Sequence, residues 1–180
     1  MVSGKKRLYI ALYPSGVTGN EERRYHWGFL VGPKVERKSG QVPGTQYHVK
    51  NRPLQGWAYE AIPHLNIQTT DNLLARVLIA KVEDEQRLVS IFETTPVVQD
   101  DPDWRCRTWV ADALSRIEQD GHGRSRGRAV GTAELNWSSI EPVARAYVAN
   151  KTTAGRYLRA VDLSLPKPTW DMLQRREIVP

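Results

Sequence analysis

The sequence predicts an α+β fold in which a mainly antiparallel, five-stranded sheet packs against about three helices. Two observations carry this expectation. Up to Val82 the apolar residues come in short β-branched and aromatic runs cut by Gly and Pro, as strands joined by turns do. From Asp84 onward they recur at intervals of three and four, the helical period. With 180 residues, 40% of them hydrophobic, the chain suits one core, so residues 1–165 are expected to form a single domain and 166–180 a C-terminal tail.

Leu8 to Tyr13 is apolar and stops at Pro14-Ser15-Gly16, a turn cluster, which gives the first strand. His26 to Val31 repeats the pattern and ends at Gly32-Pro33, with Gly28 inside it marking a close approach by a neighbouring segment. Gln46 to Lys50, Trp57 to Ile62 and Leu74 to Val82 supply the remaining three strands. Asp84 is placed to cap a short helix carrying Leu88, Ile91 and Phe92, which Pro96 ends. A second helix is expected over Trp104 to Glu118, with Trp109, Val110, Ala113, Leu114 and Ile117 on one face and Gly121 closing it. Ser138 and Glu141 have capping-box spacing before a third helix. A further strand is expected at Tyr157 to Leu163.

Composition narrows the function classes. A single cysteine rules out an internal disulfide and, with no leader-like start, points to a reducing, cytoplasmic setting. The apolar run from Leu73 to Val82 is broken by Arg76 and Lys81, so no membrane span is expected. The net charge of +6 is scattered over termini and loop tips, which reads as solubility rather than as a nucleic-acid interface. Neither the glycine spacing nor the Cys and His spacing matches a nucleotide loop, a dinucleotide fingerprint or a zinc site, and no cofactor or metal is expected.

Cys106 falls in the first turn of the second helix, where unpaired amide hydrogens and the positive end of the dipole favour a thiolate and can hold an oxyanion. The acidic run Asp100-Asp101-Pro102-Asp103 opposes that, so the sulfur needs a histidine partner. His26 and His48 lie on neighbouring strands whose alternation can bring their rings together, with His26 suited to be the base and His48 the group that orients it. The other reading of each is structural: a small buried thiol and two satisfied strand histidines. His64 and His122 read as loop residues without a role. Trp27 and Trp104, beside the histidine and the cysteine, are candidates for the wall of a substrate pocket.

The run Tyr25-His26-Trp27-Gly28-Phe29-Leu30-Val31-Gly32, a histidine on the next strand, and Trp104-Arg105-Cys106-Arg107-Thr108-Trp109-Val110 opening a helix together resemble the circularly permuted branch of the NlpC/P60 papain-like superfamily. That branch includes lecithin retinol acyltransferase-like thiol hydrolases. More loosely, the whole chain resembles an uncharacterised group of small fungal proteins. The first resemblance spans about residues 8 to 118 and implies a permuted papain-like fold. It also implies Cys106 as nucleophile, His26 as base and His48 as third member of a Cys-His-His site acting on an amide, thioester or ester. The expected partner is a small-molecule or peptide acyl substrate. Arg105 stands where those relatives commonly carry Asn. The competing reading is a non-catalytic module on the same frame, using the basic loop with Arg124, Arg126 and Arg128 to hold an acidic partner or RNA.

Overall fold

Strand β1 (Lys6–Pro14) is apolar along almost its whole length because both of its faces are covered. Leu8, Ile10 and Leu12 point to one side and pack under helices, while Tyr9, Ala11 and Tyr13 point to the other. The computed structural model describes residues 4–37, 40–120, 122 and 127–180. Around β1 the chain lays β2 (Tyr25–Pro33), β3 (Gly44–Arg52), β4 (Gly56–His64) and β5 (Ala75–Val82), so the five expected strands all form. Helix α1 (Glu85–Thr94) follows, capped by Asp84, whose carboxylate accepts from the Arg87 N–H. Helix α2 (Cys106–Asp120) buries Trp109, Val110, Ala113, Leu114 and Ile117 on the expected face. Gly121, expected to close that helix, lies outside the described residues.

The fold class is α+β, as expected, but the sheet is larger and mixed. Strands β6 (Val130–Ala133), β7 (Thr169–Asp171) and β8 (Arg176–Val179) bring it to eight among the described residues. The order is β4-β3-β2-β1-β5-β7-β8, with β6 sharing the outer edge of β5; it does not close into a barrel. Every described pair is antiparallel except β5 with β7. Residues 166–180, expected as a tail, therefore carry two strands hydrogen-bonded into the sheet.

Among the described residues four helices form rather than about three. Helix α3 (Trp137–Thr153) is capped by Asn136, which accepts from the Ser138 N–H, and not by the expected Ser138–Glu141 box. The Glu141 carboxylate accepts from Arg107 and Arg145 instead, and charge-assisted bonds outcompete a backbone amide for it. Where a strand was expected at Tyr157 to Leu163 there is the short helix α4 (Ala160–Ser164). Leu158 before it and Val161 and Leu163 within it are exposed, so these apolar residues find no layer to pack against. No described helix is long and apolar enough to cross a membrane.

One face of the sheet carries α1, α2 and α3 around Trp27, Phe29 and Trp109, with Phe29 stacked on Phe92 at 4.7 Å. The other is covered by Val42, Ile67 and Leu73 from connecting segments. On that second face Arg76 is fully buried. Its Nη1 and Nη2 donate to the two oxygens of Glu36, its Nε donates to Thr169 Oγ1 at 3.1 Å, and its guanidinium lies 4.8 Å from the Tyr9 ring centre. The pair ties β5 to the β2–β3 connection and to β7. Removing one partner strands a buried charge, so Glu36→Gln is expected to lower the unfolding free energy by about 3 kcal/mol or more. In urea titrations the double variant Arg76→Met, Glu36→Leu is expected to lose less than the single one.

Candidate active site

The β2–β3 ladder is short. Only Phe29 to Val31 pair with Thr45 to Tyr47, whereas β3 stays paired to β4 from end to end. Beyond Phe29 the segments Tyr25–Gly28 and His48–Arg52 carry no ladder between them. Gly28 stands at the fork: a Cβ there would lie 3.0 Å from His48 Cβ and 3.1 Å from the Tyr47 carbonyl oxygen, too close for another residue without a shift. The opening leads into a cavity of about 840 Å³ whose wall includes Tyr13, His26, His48, Trp57 and Cys106.

Alternation along β2 sends Tyr25, Trp27 and Phe29 into the core under the helices. His26 therefore takes the other face, opposite Tyr13 in register and 5.9 Å from its ring. Cys106 comes from the helix side, at the first residue of α2. Nucleophile and base candidates thus enter one cavity from opposite sides of the sheet, through the fork. The sulfur makes no hydrogen bond to either imidazole; the backbone N–H groups of Trp27, Arg107 and Cys106 itself act on it instead.

The two histidines do meet. His26 Nε2 and His48 Nδ1 are 2.7 Å apart, and His48 Nε2 is 3.0 Å from Glu60 Oε2. Glu60 sits directly across from His48 in the β3–β4 register, and Arg52 donates to its other oxygen. The Arg52 bonds, followed by that of His48, hold the Glu60 carboxyl below its usual range, so it is an acceptor. His48 Nε2 must then carry a proton and, with the ring neutral, Nδ1 must accept. The amide of Gln46, 3.3 Å from Nδ1, is a second donor to it. His26 consequently donates through Nε2, and its Nδ1 keeps a free lone pair. The chain Arg52–Glu60–His48–His26 fixes which nitrogen of His26 can take a proton.

Burial sets the charge state. It lowers His26 from an ordinary 6.5 to about 4, helped by the charges of His48 and Lys50. It lowers His48 as well, against the pull of Glu60. It raises the Cys106 thiol, and the three backbone N–H groups only partly offset this. The expected helix-start thiolate is therefore not the resting form, because desolvation outweighs the dipole. Sulfur and imidazole are both neutral at pH 7.

Other expectations change too. Trp27 is fully buried against Trp137, and Trp104 packs edge-on against Trp57 at 5.3 Å; of the indoles, Trp57 is the one on the cavity wall. His64, read as a loop residue, ends β4, lines the cavity and donates to Gln46 Oε1 at 2.8 Å. Glu60, Gln46 and Arg52 were not anticipated. Alternation would have paired Glu60 with a histidine strand only once the register was known. Arg124 and Arg126 lie outside the described residues, and Arg128 is exposed.

The model of a protein family described as of unknown function, DUF6914, matches residues 5–179. The chain belongs to that family. No curated protein matches the chain, and no solved structure does. The family span takes in every residue of the relay, from His26 to Glu60, together with Cys106 and the β7–β8 hairpin.

The depressed His26 has a consequence for stability. Between about 4 and 6.5 the unfolded chain binds a proton that the folded chain refuses, so stability falls as pH drops through that window. The loss attributable to His26 is expected to reach about 3 kcal/mol at pH 4. Urea midpoints from pH 7 to pH 4 measured in the native protein and in His26→Gln should converge as the pH falls.

Proposed function

We propose that this protein is a cysteine-dependent hydrolase or acyl-transfer enzyme acting on an amide, thioester or ester, on a permuted papain-like frame. The observation that carries the reading is the relay that leaves Nδ1 of His26 with a free lone pair, on a residue lining the same cavity as Cys106. A merely structural histidine pair needs no carboxylate and guanidinium behind it. The chain order, with both histidine strands before the cysteine helix, supports the permuted frame. A lone cysteine suits a cytoplasmic setting.

In the mechanism His26 Nδ1 takes the Sγ proton while sulfur bonds to the acyl carbon. The carbonyl oxygen becomes an oxyanion, and the N–H groups around the sulfur are its donors. Collapse expels the leaving group, which takes the proton back from His26, and leaves a thioester on Cys106. Water or an amine, losing its proton to His26, then attacks that thioester and frees the thiol. Because both partners start neutral, proton transfer accompanies attack instead of preceding it. His48 is a positioning residue, and Glu60 and Arg52 hold it.

Mass spectrometry after mixing with activated thioesters and esters is expected to show an acyl adduct on Cys106. Cys106→Ala should abolish turnover, and His26→Gln should lower kcat/KM by about 10²- to 10⁴-fold. If Cys106→Ala turned over normally, or no adduct formed, the reading would fail. The acid limb of kcat/KM should fall at about pH 4, where His26 gains a proton, well below the 6.5 of an exposed imidazole. Glu60→Gln, which weakens the tautomer lock, should lower kcat more than it raises KM.

A further inference from the structure

Charges around the cavity are unbalanced in a way that bears on the substrate. Lys50 lies two residues along β3 from His48, on the same strand face, and lines the cavity. Its charge acts on both imidazoles. Arg105, immediately before the nucleophile, lines the cavity from the opposite side, and its charge acts on the sulfur. Neither forms an ion pair among the described residues. One Nη of Arg105 donates to the Pro102 carbonyl at 2.8 Å, but its Nε–H is buried and has no acceptor. Arg107, by contrast, is ion-paired with Glu141, a carboxylate it shares with Arg145. Arg23 is the third unpaired cation of the wall, and Glu22 and Asp71 are its unpaired carboxylates. With the histidines neutral, the wall keeps an excess of positive charge.

We propose that the acyl donor taken by this site carries a carboxylate close to the scissile carbonyl, seated between Lys50 and Arg105. The inference rests on the reading of Cys106 as nucleophile and adds the substrate class. An anionic group on the donor offsets that excess. A guanidinium with an unused N–H is suited to a carboxylate oxygen. The half-buried Arg105 guanidinium favours a bound anion more than the same charge does in water, and the exposed Lys50 adds to it from the other side. A neutral acyl donor leaves the half-buried Arg105 guanidinium without an anionic partner, and that cost discriminates against it.

The test compares two alkylating agents of similar size, iodoacetate and iodoacetamide. Each forms a sulfur–carbon bond on Cys106 as iodide leaves and the thiol proton is lost. Because Cys106 is the protein's single cysteine, intact mass reports the rate directly. The ratio of iodoacetate to iodoacetamide rates is expected to exceed that of N-acetylcysteine amide about tenfold, and to fall towards it in Lys50→Met and in Arg105→Gln. Lys50 is exposed, so its variant tests the proposal even if the Arg105 variant folds poorly. A wild-type ratio equal to that of the free thiol, or a ratio unchanged in both variants, overturns the carboxylate while leaving Cys106 as a nucleophile. No labelling by either agent overturns the nucleophile and the carboxylate together.

Discussion

The hydrogen-bonded ladder between β2 and β3 ends at Phe29 and Tyr47, and the candidate site exists because it ends there. A full ladder would have paired the backbone around Trp27 with β3, and the opening between the two strands would be gone. Two conditions keep the fork open. The bare Cα of Gly28 lets the strands touch at its vertex, and the complete β3–β4 ladder holds β3 away from β2 beyond it. The same ladder delivers Glu60 to His48. The break in the β2–β3 ladder thus provides the space and the free amide, and the unbroken β3–β4 ladder the support of the second histidine.

Desolvation is the second organising effect. A helix start is expected to favour an anion, yet the thiol here is pushed towards neutrality and His26 towards neutrality as well. A preformed thiolate–imidazolium pair would need two charges held apart from water without a bond between them, and burial disfavours both. In the proposed reaction, a polar substrate would change that balance at the moment of attack. Such a cavity keeps its sulfur quiet when empty, which suits a thiol that must not react with every electrophile it meets.

Much of this was legible in the sequence. The strands β1, β2 and β5 were visible as long apolar runs, β3 and β4 as shorter aromatic and β-branched stretches set off by Gly and Pro, and α2 because its buried face repeats over several turns. The positions of Cys106 at a helix start and of two histidines on adjacent strands followed from the same patterns. What escaped depended on distant partners. Strands β6, β7 and β8 are only three or four residues long, and β7 is a strand because Arg76 to Leu78 lie beside it. Glu60 looks like any exposed strand residue until the register sets it opposite His48. The short helix α4 replaced an expected strand because Arg159 pairs with Asp162 at helical spacing and the apolar residues there meet no second layer. Local patterns therefore carried the scaffold, and long-range register carried the relay.

The parallel strand β7 has a temporal consequence. It reaches β5 only after more than eighty intervening residues, and it brings Thr169, the acceptor for the Nε of the buried Arg76. While a ribosome is still making α3, the outer edge of β5 lacks this neighbour and the guanidinium has one ligand fewer. The nascent chain at that stage offers an open strand edge to any other extended segment. Closure by β7 and β8 makes completion of this sheet edge later than that of β1 to β5, and loss of those two strands would leave a sticky intermediate.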